Sequence, residues 1–484
     1  MGASLALAAA SWAAPLNLNL PSMGAVAGAD LSPSQEQAMG DEIMREIRAD
    51  PSYMDDPETL QYLNRLGYEL ASVVPSHTYS FFFFPIKDAS LNAFAMPGGY
   101  IAVHSGLIAS TRNENELAGV IAHEIGHVTQ RHIARMIDAQ RVNPAITVGS
   151  ILLALLAARA GSADAAVGAV LGGQAMIASK QLSFSRQHER EADRTGLAAL
   201  SAAGFDPRGM ESFFARLQAS NRYYEAASPQ YLSTHPLTIE RMSDMASRTK
   251  SLPARSHASS LDYHVIRARM RVLQDTRANS LVKLSRTLEQ EYAANPAPRE
   301  KAALAYALAL ANGELRKTAE ARRWSRQARL DSPDKNNLFI EKLAAQVAFA
   351  TGSREEKLAA SARARELAVA NPTSEVAVRF YADTLFELKR YKEAVRYLRR
   401  QQAFSPESAS YASMMAQCYK AMGQMSEHYQ YVGDMYLAQG DKKAAEYQYR
   451  LARKANDGDY YTMSRVDAKL RTVREDILLE EKSR

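Results

Sequence analysis

Residues 120–132 read VIAHEIGHVTQRH, with His123 and His127 four apart and Glu124 between them. On a helix, positions i and i+4 lie about 40° apart on one face, so both imidazoles can point at one metal ion. Glu124 can reach a water on that ion without being a ligand. Two imidazoles on zinc and a carboxylate that takes the water's proton form the HExxH arrangement of metal-assisted hydrolysis. A third histidine, His132, falls on about the opposite side of a continuous helix and is expected to be structural or exposed. The longer HExxHxxGxxH pattern fails, because Gln130 and Ile133 stand where it needs glycine and histidine. The third ligand must therefore come from elsewhere. A glycine inside a helix, here Gly126, costs about 1 kcal/mol relative to alanine; close approach of another backbone would explain it.

The best distant candidate is SRQHEREADRTG, residues 185–196, with Glu189, Glu191 and Asp193. Glu189 and Asp193 share a helix face, while Glu191 points away from Asp193. Glu189 as ligand, with Asp193 behind to orient a zinc histidine, is coherent. The plainer alternative is a solvated charged helix carrying Arg186, Arg190 and Arg194. His77, His104, His188, His257 and His264 read as structural.

Several elements must position these groups. A helical pattern runs from Ser34 to about Arg48, and a second, roughly 57–73, aligns Leu60, Leu63, Leu66 and Leu70. YSFFFFPI reads as a strand, and AFAMPGGYIAVHSGLI as strand, Gly98-Gly99 turn, strand. A helix from about Glu114 to Ala139 carries the histidine pair. Residues 146–178 hold two apolar runs, each shorter than the roughly 20 residues of a spanning helix. They read as a buried helical hairpin, or as a surface for peripheral membrane association. An integral-membrane enzyme is disfavoured by the same lengths.

From about 258 onward, helix follows helix. Asn295-Pro296, Ser332-Pro333, Asn371-Pro372 and Ser405-Pro406 each close a helical run, their prolines 37, 39 and 34 residues apart. That is near the roughly 34-residue tetratricopeptide period, and Ala382, Tyr391 and Ala394 fall where small and aromatic residues let paired helices pack. An irregular bundle is the alternative. Such solenoids offer a concave surface to a protein partner.

Composition bounds the rest. The chain's 484 residues imply at least two domains, and 46% hydrophobic content supports real cores. A net charge of +6 without a block of like charges gives no nucleic-acid arm. One cysteine, Cys418, excludes an intramolecular disulfide and a cysteine-based metal site. MGASLALAAASWAAP looks like the apolar part of an export signal, with small residues at Ser11 and Ala13. The usual positive start is missing, the first basic residue being Arg45, which places the start itself in question. The domains expected are a signal-like segment and linker at 1–30, a metallopeptidase unit at 31–250 and helical repeats at 258–484.

These residues resemble the gluzincin peptidases of the HtpX and CAAX-prenyl-protease type. There HExxH is joined by a glutamate in an ExxxD motif, here Glu189 to Asp193. SLNAFAMPGGYIAVHSGLI looks like the family's edge-strand segment, and STHPLTIER matches its His-Pro motif, with His235 and Arg241. Export and terminal repeats add likeness to the periplasmic BepA-like branch. The resemblance implies an α+β zincin (gluzincin) domain with a small edge-exposed sheet, followed by an all-α tetratricopeptide-like solenoid. It implies a one-zinc endopeptidase at the inner face of the outer membrane. Its substrates would be unfolded or misassembled β-barrel proteins, its partner the β-barrel assembly machinery, bound through the repeats. His123, His127 and Glu189 would hold zinc, Asp193 would orient them, and Glu124 would be the base. His235 would stabilise the oxyanion or sit on zinc as a lid, unless it is merely a surface residue. Arg241 would bind substrate carbonyls or pair with an acid. Tyr100, Ile101, Ala102 and Val103 would form an exposed strand that pairs with substrate. The alternative function is a chaperone or scaffold working through the repeats with a shut protease site.

Overall fold

The computed structural model describes residues 31–75, 79–140, 184–223, 230–253, 255–405 and 408–483. The signal-like segment, the apolar 146–178 stretch and His77 lie outside them. The chain divides into two compact units, Met1–Asp55 with Tyr62–Tyr263, and Asp56–Gln61 with His264–Arg484.

In the first unit the elements run α1 (Pro33–Ala49), α2 (Pro57–Ala71), β1 (Phe82–Ile86), β2 (Ala93–Ala95), β3 (Tyr100–His104), α3 (Ser105–Ser110), α4 (Glu114–Thr129), α5 (His132–Gln140), α6 (Arg186–Ala202), α7 (Arg208–Tyr223), α8 (Gln230–Thr234) and α9 (Ile239–Ser251). Phe83, Ile101, Leu117 and Ile121 are buried without residual exposure, Phe83 packing against Tyr68 of α2.

The sheet order is β1-β3-β2. Phe84 of β1 lies opposite Ala102 in a parallel pair, and Phe94 of β2 opposite Ala102 in an antiparallel one. This corrects the expectation for Tyr100, Ile101, Ala102 and Val103. Their strand is central, with its backbone groups committed on both sides. Pro85, which has no N–H to give, sits in the outer strand β1, where its loss is tolerated. The other outer strand is β2. Met96 N donates to Tyr100 O and His104 N to Asn92 O, so alternation along β2 turns the backbone groups of Ala93 and Ala95 to the side away from β3, where both residues are buried.

The expected helix from Glu114 to Ala139 is two helices. It stops because Arg131 takes a left-handed conformation, φ 53°, which costs a non-glycine residue about 1–2 kcal/mol. The Arg131 guanidinium is pinned to the Glu36 carboxylate and to Leu31 O, which offsets that cost.

The second unit is helical. Alternate helices begin at Leu261, Pro298, Leu338, Glu375, Ala409 and Lys442, 33 to 40 residues apart, and each is followed by an antiparallel-type partner that packs on the next in sequence. Small residues let these helices close up: Ala382 and Ala394 are buried in one core cluster, and Tyr391 packs on Phe386, ring centroids 5.2 Å apart. No helix among the described residues is long and apolar enough to cross a membrane.

Candidate metal centre

Helix α4 starts where the Asn113 side chain accepts the Glu116 N–H, a cap worth about 1 kcal/mol. It crosses α6 at very short range. A Cβ on Gly126 would lie 2.9 Å from Ala192 O, and one on Gly196 would lie 3.0 Å from His123 N. The two glycines therefore let the backbones touch, as the sequence reading expected for Gly126. That contact sets Glu189 and Asp193 against the histidine pair.

His123, His127, Glu189 and His235 offer ligand atoms that all lie within 4.8 Å of one another, and all four side chains are buried. His123 Nε2 is 3.0 Å from His127 Nε2 and 3.4 Å from His235 Nδ1. Glu189 carboxylate oxygens lie 3.5 Å from His123 Nε2, 3.5 Å from His127 Nε2 and 3.1 Å from His235 Nδ1. A tetrahedron with bonds of about 2.1 Å has edges of roughly 3.4 Å. The separations lie near that length, although the carboxylate uses Oε2 towards His123 and Oε1 towards the other two, so three imidazoles and a carboxylate are close enough to serve one zinc ion.

The two histidines of α4 are supported differently. His123 Nδ1 faces Asp193 Oδ1 at 3.0 Å, and Arg241 grips that aspartate through Nε and Nη2, both at 2.8 Å. Burial alone would discourage charge on His123, but Asp193 and Glu189 outweigh it and lift its pKa to about 9. His127 Nδ1 meets instead His132 Nδ1 at 2.9 Å. His132 Nε2 meets Glu191 Oε2 at 3.1 Å, and Arg135 Nη1 donates to the same oxygen at 2.7 Å. If His127 presents Nε2 to zinc, its Nδ1–H must donate to His132, whose Nε2–H then donates to Glu191. The proton pattern is thus fixed along the chain. Burial depresses the His132 pKa despite Glu191, which keeps that ring neutral, as the pattern needs.

His132 is therefore not on a far face. The break at Arg131 turns it back under His127, fully buried. Nothing in TQRH announces a left-handed residue, so sequence reasoning could not find this. Two more residues were missed. Phe184 stacks on His127 with centroids 3.9 Å apart. Tyr231 stacks on His235 at 4.5 Å, and its hydroxyl lies 3.4 Å from Glu124 Oε1. Tyr231 stands four residues before His235, a helical spacing that could have been read.

Glu124 is fully buried. Desolvation raises its pKa, with His235 and His123 opposing, a direction that eases proton exchange near neutral pH. Ala95 N donates to Glu124 Oε2 at 3.0 Å, which ties the carboxylate to the outer strand β2. His235 Nε2 is 3.5 Å from Glu124 Oε1, so this one imidazole faces Glu124 with one nitrogen and Glu189 and His123 with the other. Arg241 is 1% exposed, and its Nη1 lies 2.6 Å from Glu189 Oε2 and donates to Pro236 O at 2.7 Å. It is committed to Asp193 and Glu189. The substrate-contacting, catalytic role considered for it is corrected, and the acid-pairing alternative describes it. His104 is structural, held by Ser90 Oγ at 2.9 Å.

Residues 57–249 match Peptidase family M48. The putative beta-barrel assembly-enhancing protease of Vibrio cholerae is 42% identical over 257 residues, covering 52% of this chain and 52% of that protein. The beta-barrel assembly-enhancing protease of Escherichia coli K12 is 38% identical over 308 residues, covering 63% and 61%. The mitochondrial metalloendopeptidase OMA1 of Schizosaccharomyces pombe is 30% identical over 219 residues, covering 44% and 60%. The matched stretches span about half to three-fifths of the length of these relatives.

Proposed function

Because residues 57–249 match Peptidase family M48, we propose that the chain is a zinc-dependent endopeptidase. It cleaves unfolded or misassembled polypeptides in the bacterial envelope, in the periplasm, during assembly of β-barrel membrane proteins. The observation that carries this reading is the buried Glu124 carboxylate set beside four converging zinc donors. The names of the relatives support the substrate class, and the helical repeats are the surface through which the assembly machinery would be engaged.

Bound zinc would supply a Lewis acid for the scissile carbonyl and lower the pKa of its water. His123, His127 and Glu189 would hold it. Glu124 takes the proton from the attacking water and returns it to the leaving amine. A substrate would be held extended along the outer edge of β2, pairing with the backbone groups of Ala93 and Ala95 once what buries them gives way. This replaces the central strand 100–103 as the docking strand and gives broad specificity, because main-chain bonds read no side chain.

A second reading rests on His235. Its Nδ1 lies among the candidate donors and would be a fourth ligand to bound zinc, whereas catalytic sites keep one position open. On this reading the site is shut at rest, and His235 would have to withdraw before cleavage. In that state the chain acts through its repeats as a chaperone or scaffold.

One experiment tests both. Zinc content and degradation of an unfolded protein are compared for wild type, Glu124→Gln and His235→Ala. We expect Glu124→Gln to keep its zinc and lose about 10²–10⁴-fold in rate. His235→Ala should gain rate if the residue is a lid and lose it if the residue stabilises the oxyanion. Equal degradation by zinc-loaded wild type and Glu124→Gln would sink the mechanism.

A further inference from the structure

The helical unit contains a cavity of about 850 Å³, within the range of ligand-holding pockets. Its walls are the helices Tyr391–Gln401, Ala409–Ala421, Met425–Ala438 and Tyr460–Ser483. Four cations line it: Lys392, Arg396, Arg399 and Arg465. None of them forms a salt bridge with a described residue, although arginines elsewhere in this unit do, as Arg363 with Glu341 and Arg271 with Glu291. Two carboxylates, Glu427 and Asp459, also line the cavity, so the cations are in excess.

Arg399 is held by phenols rather than by a carboxylate. Its Nη2 donates to Tyr419 Oη and its Nε to Tyr431 Oη at 3.3 Å. Those two rings stack with centroids 5.4 Å apart, fixing the guanidinium while leaving most of its fork unused. At the cavity floor Glu427 is 7% exposed, and its Oε2 has no hydrogen-bond partner. A buried acceptor in that state is destabilised, and an incoming N–H would relieve it. Tyr461, 77% exposed and set edge-to-face on Tyr460, adds an aromatic ring to the lining.

The spacing of the cations selects among anions. Lys392, Arg396 and Arg399 occupy i, i+4 and i+7 on one helix face, so they step along the axis by roughly 6 and 4.5 Å. They form a row rather than converging on a point, which disfavours a single phosphate. Same-side residues of an extended chain are about 6.8 Å apart, and carboxylates at alternate positions can follow such a row.

We propose that this cavity docks an extended acidic polypeptide segment, with Asp or Glu at alternate positions and an aromatic or aliphatic residue between them. The cations take the carboxylates, Glu427 Oε2 accepts a backbone N–H, and Tyr419, Tyr461 and Met422 cover the apolar residue. The proposal is independent of proteolysis.

The test uses the full chain carrying Glu124→Gln, so that no probe is cleaved. A fluorescein-labelled decapeptide alternating Glu with Phe or Leu is titrated by anisotropy beside a twin with Gln for Glu. The acidic peptide should bind at least ~10-fold more tightly than its twin, and salt should weaken it. Arg396→Glu and Arg465→Glu should each weaken it by about fivefold or more, and Lys317→Glu, outside the cavity, should not. Arg396→Gln, with an unchanged thermal melt, serves if a reversal disturbs folding. Equal binding of the twin, no binding of the acidic peptide, or indifference to both reversals overturns the proposal. Binding of phosphatidylglycerol vesicles in place of the peptide, lost in Arg396→Glu, overturns it in favour of an anionic lipid surface.

Discussion

The metal centre and the helical unit bury their charges in opposite ways. At the metal centre His123, Glu124, His127, Glu189, Asp193, His235 and Arg241 are all enclosed around one point. They come from distant parts of the chain: His123 meets His235 across 112 positions, and Tyr231 meets Glu124 across 107. In the helical unit each helix packs chiefly on its neighbour in sequence, and the buried groups are mostly alanine, leucine and tyrosine. The first arrangement stands or falls as one network, because a charge that loses its partner in the interior cannot turn to water. The second should degrade by increments, as expected of quasi-one-dimensional repeats.

The largest test of that contrast is Arg241→Met. It leaves Asp193 and Glu189 buried with less compensation, and we expect a loss of about 3–5 kcal/mol in the metal-free protein, read by denaturant unfolding and partly recovered on adding zinc. Next, Leu385→Ala in the helical unit removes a fully buried side chain and should cost about 2–4 kcal/mol. Its loss should stay within that unit, leaving zinc affinity unchanged in a chelator competition. If zinc binding fell as well, the two regions would not be separable in the way described. Smaller again is His132→Phe, which keeps the ring and removes the acceptor for His127. Zinc affinity should drop about 10–100-fold, with partial recovery in His132→Gln, whose amide oxygen can accept the same proton. A purely space-filling role for His132 would show no such order between the two variants.

The smallest effect is a pH dependence in the helical unit. Burial works against the Asp56 carboxylate, but Arg269 outweighs it and holds the pKa below its ordinary value. The folded value is the lower one, so this contribution is complete above the unfolded pKa of about 3.9 and is lost as pH falls through the folded value. Thermal melts of wild type between pH 5 and pH 3 should show the falling limb, and Asp56→Asn should flatten it. A parallel fall in both proteins would assign the acid sensitivity elsewhere.

Legibility in the sequence follows the same division. The repeats are readable because their determinants are local: the prolines at 296, 333 and 372 follow helices ending at Ala293, Asp331 and Ala370. The pairing of His123 with His127 is readable because helical spacing alone places them together. Gly126 is readable as a close approach, though not which backbone makes it; that is Ala192. The sheet order was not readable. Nothing in FFFFPI says it will lie against 100–104 and make that strand central. His132 was misplaced because one left-handed residue, Arg131, reverses the arithmetic of helical angles. Its cause is a guanidinium held by Glu36, 95 positions away.

One bond in the centre has a consequence of its own. The Ala95 N–H on the outer edge of β2 is the same donor that holds Glu124 Oε2. A chain added at that position would compete with the carboxylate for a single proton donor. By reciprocity of coupled equilibria, whatever fraction of its attachment came from that position would reappear as release of Glu124 Oε2.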